Sequence, residues 1–350
     1  MTTLPSAPSD ARRIRSRRPP AAVPLDAADF QGAAFPEQAF PPESSGAEAY
    51  FAACRRGYAA MAKLRVAITG LARDLGPVLP VTIQRIENLC SRFADARIIV
   101  YENDSRDETR SELFRWAKIN RQVELITEVR ADPVNPASRC LARAARMAVY
   151  RTRCQEAVLA SCAGFDATII IDFDIQGGFS SDGIATSFGQ PGWDFVGSNG
   201  LIYRRQGLRM NALRQYDTWA LRFDEELTPL STVAAGGLVY ERGRPLVPVT
   251  SCFGGLGIYT MEAFRAGRYA TDDLEHATFH RSLRAAGLRR LFLNPSQLVV
   301  YGRRHRFGDR LVAGLVRLAG GAGGRRELFA RGQPAAVAPP PAAVRVGRAA

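Results

Sequence analysis

The sequence predicts an α/β domain with a mostly parallel central sheet. Short β-branched runs alternate with longer stretches of helical periodicity, each run ends in polar residues, and no period of roughly 20 to 50 residues repeats. Residues 64–69 (LRVAIT) read as the first strand, because Val, Ile and Thr suit a pleated surface. Apolar spacing makes 80–93 a helix, and 96–101 (ARIIVY) is a second strand. A helix over 108–119, a strand at 123–127, a long helix over 137–160 and a strand at 167–171 (ATIII) complete a right-handed βαβ series. After about residue 179 the rhythm changes to irregular Gly- and aromatic-rich segments with short strands, and one clear helix at 273–286.

With 350 residues the chain has room for one large core or two modest ones. A hydrophobic share of 46% and a charged share of 23% exclude a wholly disordered, collagenous or coiled-coil chain. Residues 1–46 and 320–350 are rich in Ala, Pro, Gly and Arg without sustained periodicity, so both are expected to be flexible tails around one domain at 47–319. No run approaches the roughly 18 apolar residues of a membrane span, and the N-terminal arginines lack an apolar h-region. A cytoplasmic protein is expected, with its six cysteines reduced, since none forms a Cys-x-x-Cys pair.

The net charge of +13 is concentrated late: ten arginines from Arg303 onward face only Asp309 and Glu327, a local excess of +8. Without zinc-finger spacing or an aromatic-interleaved motif, nucleic acid is an unsuitable partner. The mixed apolar and basic run 310–318 suits weak peripheral contact with an anionic membrane instead.

Open parallel sheets bind ligands beyond the carboxyl ends of their strands. That edge would hold Thr69 and Arg73 from the first strand, and Glu102, Asn103 and Asp104 from the second. Four consecutive polar side chains there, Glu102 to Ser105, suit a base and ribose, although helix capping needs one of them. The fourth strand ends in Asp172, Phe173 and Asp174; alternation in an extended chain puts both carboxylates on one side. Such a pair repels unless solvent or a cation neutralises it, and Mn2+ or Mg2+ takes one or two carboxylates plus phosphate oxygens. This is a candidate metal and diphosphate site.

Residues 101–109 (YENDSRDET), 169–175 (IIIDFDI), 216–222 (YDTWALR) and 274–281 (LEHATFHR) carry a resemblance to GT-A glycosyltransferases. Within that class the chain is most similar to fungal capsule α-mannosyltransferases, Golgi mannan polymerase subunits and their bacterial relatives. The resemblance covers about residues 63–301. It implies a single GT-A-like (Rossmann-like) domain whose Asp-x-Asp holds the cation of a nucleotide sugar. It also places Glu275 and His276 at a second acidic motif near the acceptor, and makes His305 a late metal ligand, with His280 a rival.

Three further features fit. The loop 251–257 (SCFGGLG) lets Gly254 and Gly255 approach a sugar or phosphate without an intervening Cβ. Arg139, Arg143 and Arg146 share a helix face, and Arg146 is the first candidate for a diphosphate contact. Trp193, Tyr216 and Trp219 each read first as packing aromatics; where exposed, a flat apolar face beside Asp217 suits a sugar, and Trp219 with Asp217 is the candidate contact. The expected reaction is transfer of a hexose from a nucleotide sugar to a glycan or lipid-linked saccharide, in surface polysaccharide synthesis. GDP-mannose is the first donor, by resemblance alone. Asp174 would serve with the cation, and Glu275 either as base in an inverting reaction or as an orienting group in a retaining one. A membrane-surface binding module and a nucleotidyltransferase on a similar sheet are the alternatives.

Overall fold

The helices and strands follow the predicted alternation, and the second half adds strands that short irregular segments concealed. The computed structural model describes residues 32–134, 140–206, 209–230, 238, 240–303 and 344–346. Helix α1 (Ala47–Met61) leads into β1 (Arg65–Ala72), α2 (Leu79–Cys90), β2 (Asp95–Asn103), α3 (Thr109–Ile119), β3 (Val123–Glu128), α4 (Leu141–Ser161) and β4 (Ala167–Ile171). Then come β5 (Gly178–Phe179), α5 (Ser181–Phe188), β6 (Phe195–Gln206), β7 (Arg209–Gln215), β8 (Val247–Pro248) and β9 (Leu256–Thr260). Helices α6 (Met261–Ala266) and α7 (Glu275–Ala285), then β10 (Leu291–Arg303) and β11 (Val344–Val346), complete the described chain.

The strand order is β11-β3-β2-β1-β4-β9-β6-β10-β5, with β7 added to β6 and β8 to β10. Strands β3, β2, β1 and β4 are mutually parallel. Strand β9 runs antiparallel to both β4 and β6, so β6 returns to the direction of β4, and β10 pairs parallel with β6. Six strands therefore end at one edge, while the glycines before β9 enter there. This is the layout of a GT-A-like domain, an α/β fold with a largely parallel sheet flanked by helices.

Alternation along the strands sorts the core into two layers. Val66 and Ile68 of β1 and Ile169 and Ile171 of β4 pack with Leu79 and Ile86 of α2 and Leu113 of α3. Ala67 and Ile170, facing the opposite way, pack with Ala144, Cys154 and Val158 of α4 and Phe279 of α7. Against the first layer α1 lies close on α5: a Cβ on Gly57 would come within 1.7 Å of the Ala185 carbonyl oxygen, so only glycine fits.

Two boundaries differ from expectation. Residues 37–46, assigned above to a flexible arm, form two 3-10 turns on the domain. Glu37 accepts hydrogen bonds from the Ser180 hydroxyl, at 2.8 and 2.9 Å, and pairs with the buried Arg242. The tail is not wholly separate either, since Val344–Val346 pairs antiparallel with β3. The long helix begins at Leu141 rather than 137, and residues 135–139, including Arg139, lie outside the described residues. The membrane-contact candidate 310–318 lies outside them too. Among the described residues no helix is long and apolar enough to cross a membrane, and the six cysteines are free, five of them buried.

Candidate active site at the carboxyl edge of the sheet

Asp172 follows β4 directly, and its backbone N–H extends the ladder to the Gly255 carbonyl at 2.9 Å. That bond fixes the start of the Asp-x-Asp turn against the glycine loop. Phe173 points into the first core layer, and Asp172 faces the α4 side, as alternation requires. Its Oδ1 accepts from Arg151 of α4 at 2.9 Å, and its Oδ2 accepts from the Tyr301 hydroxyl of β10. The chain then turns, and the Asp174 side chain is exposed at the carboxyl edge of the sheet. Desolvation by the surrounding protein, and after it the Asp172 charge, push the Asp174 carboxyl up to about 7.

Helix α2 holds this turn from behind. The Thr82 hydroxyl donates to the Phe173 carbonyl at 3.0 Å, and buried Arg85 donates to the carbonyls of Ile175 and Gln176, both at 3.0 Å. The glycine loop braces it from the front. Gly255 sits at φ +91, and a Cβ there would come within 2.5 Å of the Tyr301 ring. Gly254, at φ +67, donates its N–H to Asp217 Oδ2 at 3.2 Å. Asp217 itself is held at φ +40, a conformation rare outside glycine, and burial, then the Asp172 charge, raise its carboxyl to about 7. The preceding Tyr216 stacks on Tyr301, ring centroids 3.5 Å apart.

Behind Asp172 the buried Arg151 also faces Glu275, Nε to Oε1 at 3.5 Å. Its guanidinium lies 5.1 Å from the Phe253 ring centroid, and His276 stacks on Phe253 at 3.7 Å. Burial pushes the Glu275 carboxyl up against the pull of Arg151, and burial followed by the Arg151 charge pushes the His276 ring well below the ordinary imidazole range. Glu275 Oε2 and both ring nitrogens of His276 find no hydrogen-bond partner among the described residues. The two outer motifs are tied by Arg222, which is almost wholly buried and grips Asp273 with both terminal guanidinium nitrogens, at 2.5 and 3.0 Å.

At the ends of β1, β2 and β3 lies a cleft of about 370 Å³ lined by Arg73, Asp104, Ser105, Arg106, Arg110, Val129, Ala131 and Asp132. Of the residues expected to hold a donor, Arg73 and Asp104 line it. Glu102 does not: it is fully buried, with Oε2 on Arg110 at 2.7 Å and Oε1 accepting from the Ser105 N–H. Asn103 is also buried, its amide donating to Asp104 at 2.9 Å. Asp104 accepts from the backbone N–H groups of Arg130, Ala131 and Asp132. Desolvation raises its carboxyl, but those donors and the Asn103 amide outweigh it and hold the group below the ordinary range. Glu102 and Asn103 thus brace the rim of the cleft from beneath rather than facing into it. Thr69 is likewise buried within β1.

Trp219 is half-buried against the α4 layer, and Arg146 is half-buried on α4. His280 is corrected as a metal candidate: it is buried, bonded to Ser251 and Tyr259 at 2.9 Å each, and burial lowers its pKa to about 3. His305 lies outside the described residues. Arg151, Tyr301 and Arg85 carry no local sequence signal, because their importance depends on contacts between segments distant in sequence; Arg222 lies in the 216–222 motif, but its partner Asp273 is equally remote. Among the described residues no three His, Cys, Asp or Glu side chains converge as a ready metal cluster. The carboxylate pair still fits a hard cation, which needs only one or two carboxylates beside phosphate oxygens, and Asp174 is exposed.

No family model matches the sequence, and comparison with curated proteins finds no match. Solved structures do match. A mannosyltransferase, PcManGT from Pyrobaculum calidifontis, in complex with GDP-Man and Mn2+, is 14% identical with a TM-score of 0.41, over 73% of this chain and 66% of that one. GalNAc-T7 with UDP, GalNAc and Mn2+ is 12% identical at a TM-score of 0.41, over 69% and 44%. Glucosyl-3-phosphoglycerate synthase from Mycobacterium tuberculosis, with Mn2+, UDP and phosphoglyceric acid, is 16% identical at 0.37, over 76% and 80%. The chain thus spans less than two thirds of the first two structures, and all three are distant likenesses of backbone arrangement.

Proposed function

We propose that the chain is a divalent-cation-dependent glycosyltransferase that moves a hexose from a nucleotide sugar to a glycan or lipid-linked acceptor. One observation carries this reading: an Asp-x-Asp turn, braced by α2 and the glycine loop, presents an open carboxylate at the same sheet edge as an arginine-lined cleft. A nucleoside diphosphate requires that pairing, with cationic walls for phosphate and an acidic anchor for the cation that accompanies it. Asp172 and Asp174 would hold Mn2+ or Mg2+, which when bound neutralises charge building on the leaving diphosphate.

Arg73, Arg106 and Arg110 would receive the nucleotide portion of the donor, and Asp217 and Gly254 would frame the sugar. Glu275 and His276 would meet the acceptor hydroxyl, as base in an inverting reaction or as orienting groups in a retaining one. The resemblance of residues 101–109 and 169–175 to α-mannosyltransferases favours GDP-mannose and a role in surface polysaccharide synthesis at the inner face of a membrane.

A panel of nucleotide sugars incubated with Mn2+ tests the reading. The expected result is nucleoside diphosphate release and thermal stabilisation with one donor class, GDP-mannose first, and loss of both in Asp174→Asn. Silence from every donor would overturn it, and pyrophosphate release would identify a nucleotidyltransferase instead.

A further inference from the structure

Resting on that reading, we propose that Arg151 is a positioning residue that exchanges partners between Asp172 and Glu275, so that cation binding at Asp172 is coupled to the acceptor carboxylate. Arg151 is 3% exposed and pairs with both carboxylates, and Glu275 also lies beside the His276 ring. Its bond to Asp172 is complete at 2.9 Å. Its approach to Glu275 is not: Nε and Oε1 stand 3.5 Å apart, and neither Arg151 Nε nor Glu275 Oε2 has a hydrogen-bond partner among the described residues. Buried polar groups are normally satisfied, so a donor and a carboxylate left underused side by side mark a pair with capacity to tighten.

A cation and a guanidinium compete for the same Asp172 carboxylate, because each lowers the charge available to the other. Glu275 offers the displaced guanidinium an alternative anion, and the Phe253 face supports it in either direction. Glu275 therefore assists cation binding through Arg151, and by linkage cation binding draws Arg151 onto Glu275 and fixes that carboxylate for the acceptor.

The test is a double-mutant cycle in Mn2+ affinity, read from the EPR signal of the unbound ion with and without GDP. Glu275→Gln should weaken Mn2+ binding about tenfold, inside the roughly 5- to 150-fold range of coupled sites. Arg151→Gln should tighten it, and in that background Glu275→Gln should have no further effect. If Arg151→Gln does not fold, Arg151→Lys completes the cycle, since an ammonium lacks the fork that spans two carboxylates, and the Glu275→Gln effect should shrink. An unchanged affinity in Glu275→Gln, or an equal loss with and without Arg151, overturns the coupling, the latter because it reports a direct field. Failure of the unmodified protein to bind Mn2+ even with GDP would instead overturn the cation site itself.

Discussion

Asp172 and Asp174 share a motif but not an environment. Asp172 is held by Arg151 and Tyr301, whereas Asp174 is exposed, so the two substitutions should differ. Asp174→Asn is expected to cut donor turnover by about 10² to 10³, the scale of losing one preorganised electrostatic group, with the melting temperature unchanged. Asp172→Asn should cost activity and also stability, because Arg151 loses its close partner; steady-state kinetics beside thermal melts separate the two. Gly255 carries a different burden. An alanine there meets the Tyr301 ring and keeps a backbone angle foreign to L residues, so Gly255→Ala should destabilise by about 1–3 kcal/mol in urea unfolding. The acidic pair and the glycine loop were legible in the sequence because local spacing creates them. Arg151 was not, because its partners lie 21 and 124 positions away, and only the packing of α4 over the sheet brings them together.

At the scale of elements, the buried fork of Arg222 on Asp273 joins the segment carrying Asp217 to the helix carrying Glu275. Replacing Arg222 with Met should cost about 3 kcal/mol, the low end for breaking a buried pair, since Asp273 remains 28% exposed. The pair also sets a pH dependence. Desolvation raises the Asp273 carboxyl, but Arg222 and the Leu274 N–H outweigh it and hold the carboxyl below its ordinary 3.8. A depressed folded pKa means the contribution is full above that ordinary value and fades as pH falls through the folded one. Urea unfolding of the unmodified protein should therefore lose stability below about pH 4, and Asp273→Asn should remove that part of the slope. The first four strands and the helices between them were readable because β-branched runs and apolar periodicity differ so plainly. Strands β6 and β10 were not. Their glycines and polar residues interrupt the pattern, and Asn199, Asn294 and Gln297 are buried in hydrogen bonds that no local signal announces.

For the whole molecule, the domain reaches further toward the N-terminus than composition suggested. Glu37 joins Ser180, at the start of α5, to Arg242, whose guanidinium also lies over Tyr50 of α1. Its removal leaves a buried arginine without its carboxylate, so Glu37→Ala should cost about 3 kcal/mol, or roughly 6–12 °C in a thermal melt at 2–4 °C per kcal/mol. Composition concealed this because an Ala- and Pro-rich stretch needs only a few anchored side chains to be ordered. The layered sheet, by contrast, followed from the order of elements, and it gathers six strand ends at one edge that carries both the acidic turn after β4 and the arginine-lined cleft after β1 to β3. Anomalous diffraction from crystals soaked with Mn2+ and GDP shows whether the two serve one ligand. A manganese peak beside the Asp172 and Asp174 carboxylates is expected, with the nucleoside toward Arg73 and Arg110. Nucleotide bound elsewhere, or no metal beside Asp174, would contradict it.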